Sequence, residues 1–193
     1  MPRTARPIES GTAIYHVVSR GNNKNIIFLD DEDFYAMLAI VQKAKKETPF
    51  LLYHYCVMNN HLHMQLLVSG GQNLAIIMKT INQTYSLYYK KKYGFVGHLW
   101  QGRFHSRIVT DEAYQSICGI YIELNPVRAG ITKNPEGYPW SSYVTYAYGQ
   151  PDSLIDQNPL YLSLAVNPME RQAEYRAMTR AWQQNPIKKR KDF

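Results

Sequence analysis

The sequence predicts an α+β fold, a four-stranded antiparallel sheet built in the order βαββαβ and followed by a further helix. Three observations lead there. Short β-branched and aromatic runs alternate with longer segments in which apolar residues recur every three or four positions. Acidic residues and glycines that start and stop helices fall at the junctions between the two kinds of segment. A two-residue Asn-Asn turn joins the second and third strand-like runs, leaving no room for a helix between them.

The first strand is AIYHVVSR, residues 13–20, closed by the turn residues RGNN. Asp30, Asp31 and Asp33 then open a helix in which Phe34, Leu38 and Val41 recur at helical spacing, and Lys45 and Lys46 suit its negative end. LLYHYCVM, residues 51–58, and LHMQLLV, residues 62–68, form an antiparallel hairpin across Asn59 and Asn60. After Gly70-Gly71, one face of a long helix is marked by Leu74, Ile77, Met78, Ile81, Tyr85 and Tyr88, and Gly94 caps it behind KKKY. The loop FVGHLWQG leads to a fourth strand, RFHSRIV, residues 103–109; Thr110, Asp111 and Glu112 open a third helix with Ala113, Ile117, Ile120 and Leu124 as its buried stripe.

This order is the split βαβ, or ferredoxin-like, plan, with the first and third strands central, two helices on one face and the other face free. Beyond residue 126 the pattern allows a short helix at WSSYVTYAYG, a linker at QPDSLIDQNP, an amphipathic helix at PMERQAEYRAMTRAWQQ and a basic tail, KKRKD. We therefore expect a main domain over residues 1–150 and a C-terminal helical extension over 151–193.

Composition bounds the function. The 193 residues are 45% hydrophobic and 19% charged, which excludes a disordered chain, and no apolar run is long enough to span a bilayer. Two cysteines and the absence of a secretory leader point to the cytoplasm. A net charge of +7 favours a polyanionic partner, and sixteen tyrosines serve equally to stack on bases or to fill a core.

Chemistry concentrates at NNHLHMQLLVS. Side chains on a strand alternate, so His61, His63 and Gln65 share one face while Leu62, Met64, Leu66 and Val68 share the other. Two neutral imidazoles one residue apart on an open face suit a divalent cation, although a pair alone is also what a merely polar strand face would show. In TDEAYQSICGIYIELNPVRAG, Tyr121 and Asn125 lie one helical turn apart at the edge of the buried stripe. The tyrosine hydroxyl and the Asn125 amide can thus face a common site, while an ordinary boundary aromatic and an N-cap before Pro126 are the alternatives. His16, His54, His98 and His105 stand alone in their local patterns and read as structural or surface residues.

Taken together, YHVVSRGN, CVMNNHLHMQLLV, HLWQGRFHS, YIELNPVRAG and PWSSY, in this order over about residues 10–145, resemble the HUH single-tyrosine transposases, and most closely the REP-associated tyrosine transposases. The resemblance implies that the sheet is the HUH palm and the helix after it carries the nucleophile. It implies metal-dependent cleavage and rejoining of single-stranded or hairpin DNA of the repetitive extragenic palindrome type through a 5′-phosphotyrosine. His61 and His63 become metal ligands and Tyr121 the nucleophile. Asn125 becomes the third ligand to Mg²⁺ or Mn²⁺, directly or through water, where the wider group has a glutamine. The chain is expected to act as a monomer or homodimer, away from membranes.

Arg20, Arg103, Arg107 and the run Lys90, Lys91 and Lys92 are candidate phosphate contacts, and Trp100 and Trp140 read as core anchors. The competing class is a non-catalytic nucleic-acid-binding module using its sheet as RRM domains do, although the third strand displays His and Gln where that module displays aromatics. No GxxxxGK[ST] phosphate loop is present, as suits strand transfer without nucleotide hydrolysis.

Overall fold

A computed structural model describes residues 11–184; the basic tail lies outside them. Nine-residue β1 (Thr12–Arg20) leads to α1 (Asp31–Glu47), the hairpin β2 (Leu51–Met58) and β3 (His61–Ser69), α2 (Gly71–Tyr93), β4 (His105–Ile108) and α3 (Glu112–Glu123). Short α4 (Asn125–Arg128), α5 (Tyr143–Tyr148) and α6 (Pro159–Leu162) precede the long α7 (Pro168–Gln184). The sheet order is β2-β3-β1-β4 with every pairing antiparallel, so β1 and β3 are central as the split βαβ order requires. None of the described helices is long and apolar enough to cross a membrane.

One sheet face is packed as its alternation dictates. Leu62, Met64, Leu66 and Val68 of β3 and Tyr15 and Val17 of β1 are buried with Phe34, Met37 and Val41 of α1 and Leu74, Ile77, Met78, Ile81 and Tyr85 of α2. Asp30 caps α1 by accepting from Asp33 N, and Gly94 ends α2 at φ 63°, a left-handed turn that suits glycine. Most tyrosines fill cores: Tyr15, Tyr55, Tyr85, Tyr143, Tyr146 and Tyr175 are all buried.

The helices of this layer are joined by an ionic knot. The buried Asp33 carboxylate accepts from Leu29 N (2.7 Å), Tyr88 OH (2.9 Å), Tyr93 OH (2.8 Å) and Lys92 Nζ (2.9 Å), and Lys92 also reaches Asp30 and Glu32. Lys92 is thereby withdrawn from the set of candidate phosphate contacts. Three carboxylates at the start of α1 outbid a distant polyanion for it.

The second face departs from expectation. It is not free, because α3 lies across β2 and β3 and buries it. The helix face turned to the sheet is Gln115, Cys118, Gly119 and Ile122, while Ala113 is exposed, Ile117 half-buried, and Ile120 and Leu124 join a second core with Tyr143, Tyr146, Tyr161 and Tyr175. The reason is close approach. Gly119 sits against the His54 ring, where a Cβ would stand 2.6 Å from Nε2, and Gln65 Nε2 bonds Gln115 O at 3.0 Å. Small and polar residues therefore occupy the stripe that an apolar period would have assigned to larger ones.

The expected linker is also a packed segment. Along the outer edge of β2, Asp156 N donates to Leu52 O (2.9 Å) and Asp156 Oδ2 accepts from Leu52 N (2.8 Å). Tyr55 is met from both sides by Ser142, and Val57 N donates to Trp140 O (2.9 Å). Leu154 inserts into the core, and Tyr55 OH donates to Asp152. The unpaired ladder groups of an edge strand are thus satisfied by residues 140–156.

Two outcomes are expected. Gly119→Ala should destabilise the chain by about 1–3 kcal/mol, measured by denaturant unfolding, because the His54 ring is held by stacking on Tyr146 and has little room to yield. Burial opposes ionisation of Asp33, but the donors from Leu29, Lys92, Tyr93 and Tyr88 outweigh it and hold its carboxyl below the usual range. A carboxylate depressed on folding stabilises above its unfolded value near about pH 4 and loses that contribution as pH falls through the folded value. Thermal melts from neutral to acid pH should therefore show Asp33→Asn less stable at neutrality and less sensitive to acid than the parent.

A candidate metal and tyrosine site beneath the third helix

The site begins with strand register. β1 and β3 pair so that Arg20 faces His61, Val18 faces His63 and His16 faces Gln65, which puts His16 and both histidines of β3 on one side of the sheet. The His61 and His63 rings stand 4.8 Å apart, edge to face. His63 is buried and His61, beside the Asn59-Asn60 turn, is half-buried. His63 Nδ1 lies 3.0 Å from His16 Nε2, and His61 Nδ1 is hydrogen-bonded to Asn60 Oδ1.

Above them, α3 brings Tyr121. Its ring centre is 6.1 Å from that of His63 and 6.0 Å from that of His16. Asn125 opens α4 rather than capping it, since Leu124 holds the N-cap position. Its amide instead turns back, Nδ2 donating to Tyr121 O (3.0 Å) and Ile122 O (3.1 Å), so that it ties off the end of the tyrosine-bearing helix. With the nitrogen spent, the amide oxygen is the atom suited to a cation.

Burial, first, and the nearby Arg20 lower the His61 pKa to about 4; burial and Arg107 do the same to His16. His63 is pushed well below the ordinary imidazole value by burial, the two neighbouring histidines, Arg20 and Arg128. All three rings are neutral at physiological pH, the state in which imidazole binds a metal. Among the described residues no three His, Cys, Asp or Glu side chains converge as a metal cluster. Two neutral imidazoles and an amide oxygen are donor types that suit a divalent cation.

The structure brings together His61, His63, Tyr121, Arg20 and Arg107. Arg20 and Arg107 are exposed at the site, opposite His61 and His16 in the strand pairings. Arg103 is exposed in the loop before β4. Lys90 and Lys91 are exposed at the end of α2, which covers the opposite face of the sheet. Trp140 is buried, and Trp100 anchors its loop by donating from Nε1 to Asn82 O at 2.8 Å.

Four neighbours of the candidate site were not assigned to it from the sequence, and one of them, His16, was read there as a structural or surface residue. His16 belongs to the site, and its signal was its place on a central strand at the same parity as Arg20. Arg128 lies 4.4 Å over the Tyr121 ring, and its spacing of seven residues, two helical turns, was the available sign. Trp182 of α7 flanks the same ring at 6.3 Å. Glu123, fully buried, accepts from His54 Nδ1 (2.9 Å), Ser142 Oγ (2.6 Å) and Tyr175 OH (2.6 Å). That carboxylate fastens the tyrosine helix to β2, to the segment before α5 and to α7.

No curated protein matches the chain. Among solved structures, the chain is similar to a REP-associated tyrosine transposase bound to a REP hairpin, at 20% identity and a TM-score of 0.64 over 82% of this chain and 99% of that one. It is also matched to a candidate transposase from Deinococcus radiodurans at 14% identity and a TM-score of 0.44, over 71% of this chain and 97% of that one. The first likeness extends to the four-stranded antiparallel fold. Residues 10–125, which run from the start of β1 to the Asn125 amide, match the family described as transposase IS200-like, and the chain belongs to that family.

Proposed function

We propose that this transposase cleaves and rejoins single-stranded DNA at REP-type hairpins, with Tyr121 as nucleophile and His61, His63 and Asn125 holding Mg²⁺ or Mn²⁺. The observation that carries the reading is the placement of the Tyr121 ring against His63, itself 4.8 Å from His61, within one chain. The tyrosine and the histidine pair thus come from one chain, and the chain is assigned to act as a monomer or homodimer. The catalytic part corresponds to residues 1–150, and 151–193 form the supporting extension. The hairpin substrate is inferred from the solved relative that carries one, and the chain is assigned to cytoplasmic DNA.

In this mechanism Tyr121 loses its phenolic proton and its oxygen attacks phosphorus. The bond from phosphorus to the 3′ oxygen breaks, leaving a 5′-phosphotyrosine and a free 3′-hydroxyl, and attack by a 3′-hydroxyl reverses the step. A bound divalent cation supplies Lewis-acid stabilisation of the charge growing on the phosphoryl oxygens. Arg128 holds the tyrosine ring from one side, and Arg20 and Arg107 place positive charge where the DNA backbone approaches. The RRM-like alternative is disfavoured by packing, because the face on which it would stack bases lies under α3, with Gln65 and His63 buried.

With 5′- or 3′-labelled hairpin DNA, the wild type is expected to form a metal-dependent covalent protein–DNA band on a denaturing gel, and Tyr121→Phe to form none. A wild type that binds but never yields the adduct would sink the enzymatic reading. In binding assays a hairpin with a single-stranded foot should outcompete blunt duplex, and preference for the duplex would remove the proposed substrate.

A further inference from the structure

We propose that Asn60 and His16 are positioning residues for the histidine pair, each engaging Nδ1 of one imidazole so that His61 and His63 both present Nε2 to the cation. The inference rests on the metal reading above and deepens it.

For His61 the tautomer follows from the hydrogen bonds alone. Asn60 Nδ2 donates to Lys24 O at 3.0 Å, and a carbonyl can only accept, so the orientation of the amide is fixed. Asn60 Oδ1, an acceptor only, is then the atom that meets His61 Nδ1. His61 must carry its proton there, leaving the lone pair on Nε2. A metal-binding imidazole whose other N–H is held by an oxygen is fixed in tautomer and ring orientation, and its basicity is raised.

The loop that supplies Lys24 O is built for this placement. Asn23 and Lys24 occupy consecutive left-handed conformations, φ 52° and 60°, uncommon for residues other than glycine. Gly21 N donates to Asn60 O at 2.8 Å, and a Cβ on Gly21 would stand 2.6 Å from Asn25 O and 2.9 Å from Ile27 Cγ2. Such strain persists where its surroundings enforce it, and here the enforced conformation delivers a carbonyl to the amide that orients His61.

His16 plays the matching part from the neighbouring strand. It is buried, with Nε2 3.0 Å from His63 Nδ1. If His63 ligates through Nε2, its proton lies on Nδ1 and His16 accepts it. This commits His16 Nε2 to His63, so His16 orients a ligand and is not itself the third one.

The test uses the full chain and has two readouts independent of DNA cleavage. In the metal-free wild type, long-range ¹H–¹⁵N NMR should find His61 and His63 both protonated on Nδ1; a proton on Nε2 of either overturns the proposal. In Mn²⁺ titrations followed by electron paramagnetic resonance, Asn60→Ala and His16→Ala should each weaken binding by about 10- to 100-fold, and His16→Gln, which restores an acceptor, should recover most of the loss. Thermal melts establish that each variant is folded. Folded variants that bind within about twofold of wild type would overturn the proposal. If His61→Ala with His63→Ala binds Mn²⁺ as the wild type does, the metal reading falls and takes this inference with it. Normal titrations without a Tyr121 adduct would instead remove the nucleophile and leave the positioning roles intact.

Discussion

The site depends on one buried carboxylate. Glu123 lies two residues beyond Tyr121 and receives donors from β2, from Ser142 and from α7, so the helix that carries the tyrosine is fixed at its end by three separate parts of the chain. A buried charge is stable only when well hydrogen-bonded, and one that loses a partner is destabilising. The energetic demand of Glu123 therefore holds α3 at one height and rotation above the sheet. Gly119 sets that height by contact, and Asn125 secures the last turn.

The fold was legible because its first six elements declare themselves locally. The aromatic and aliphatic run of β2, the alternation in β3, the Asp30 cap and the Gly94 stop are all read within a few residues, and the order of the elements then leaves the split βαβ topology as the natural closure. What was hidden is what depends on long-range fit. The sheet-facing stripe of α3 is made of Gln115, Cys118 and Gly119 because the helix sits close and polar groups find partners there, and a search for apolar periodicity passes over it. The edge-sealing role of residues 140–156 likewise lies in backbone pairings with β2 that composition does not encode.

The neighbourhood of the candidate site was legible to a similar depth. His61 and His63 share a face by strand parity, and Tyr121 was singled out through its motif. His16 was not, because its partnership with His63 crosses between two strands and needs their register. Lys92 looked like the end of a basic run and proved to be the counter-ion of α1, a pairing set by the way two helices pack. Charge in a sequence shows what a surface can attract; tertiary packing decides which charges remain for the task.

The sealed edge of β2 also bears on how the chain is made. The strand is finished early in synthesis, yet the groups that satisfy its outer ladder belong to residues 140–156, which follow much later. A nascent chain that has completed the β2–β3 hairpin presents an open strand beside an apolar face, a template on which other chains can pair. Until residues 140–156 have docked, that outer ladder is the place where a newly made chain is most open to pairing with another.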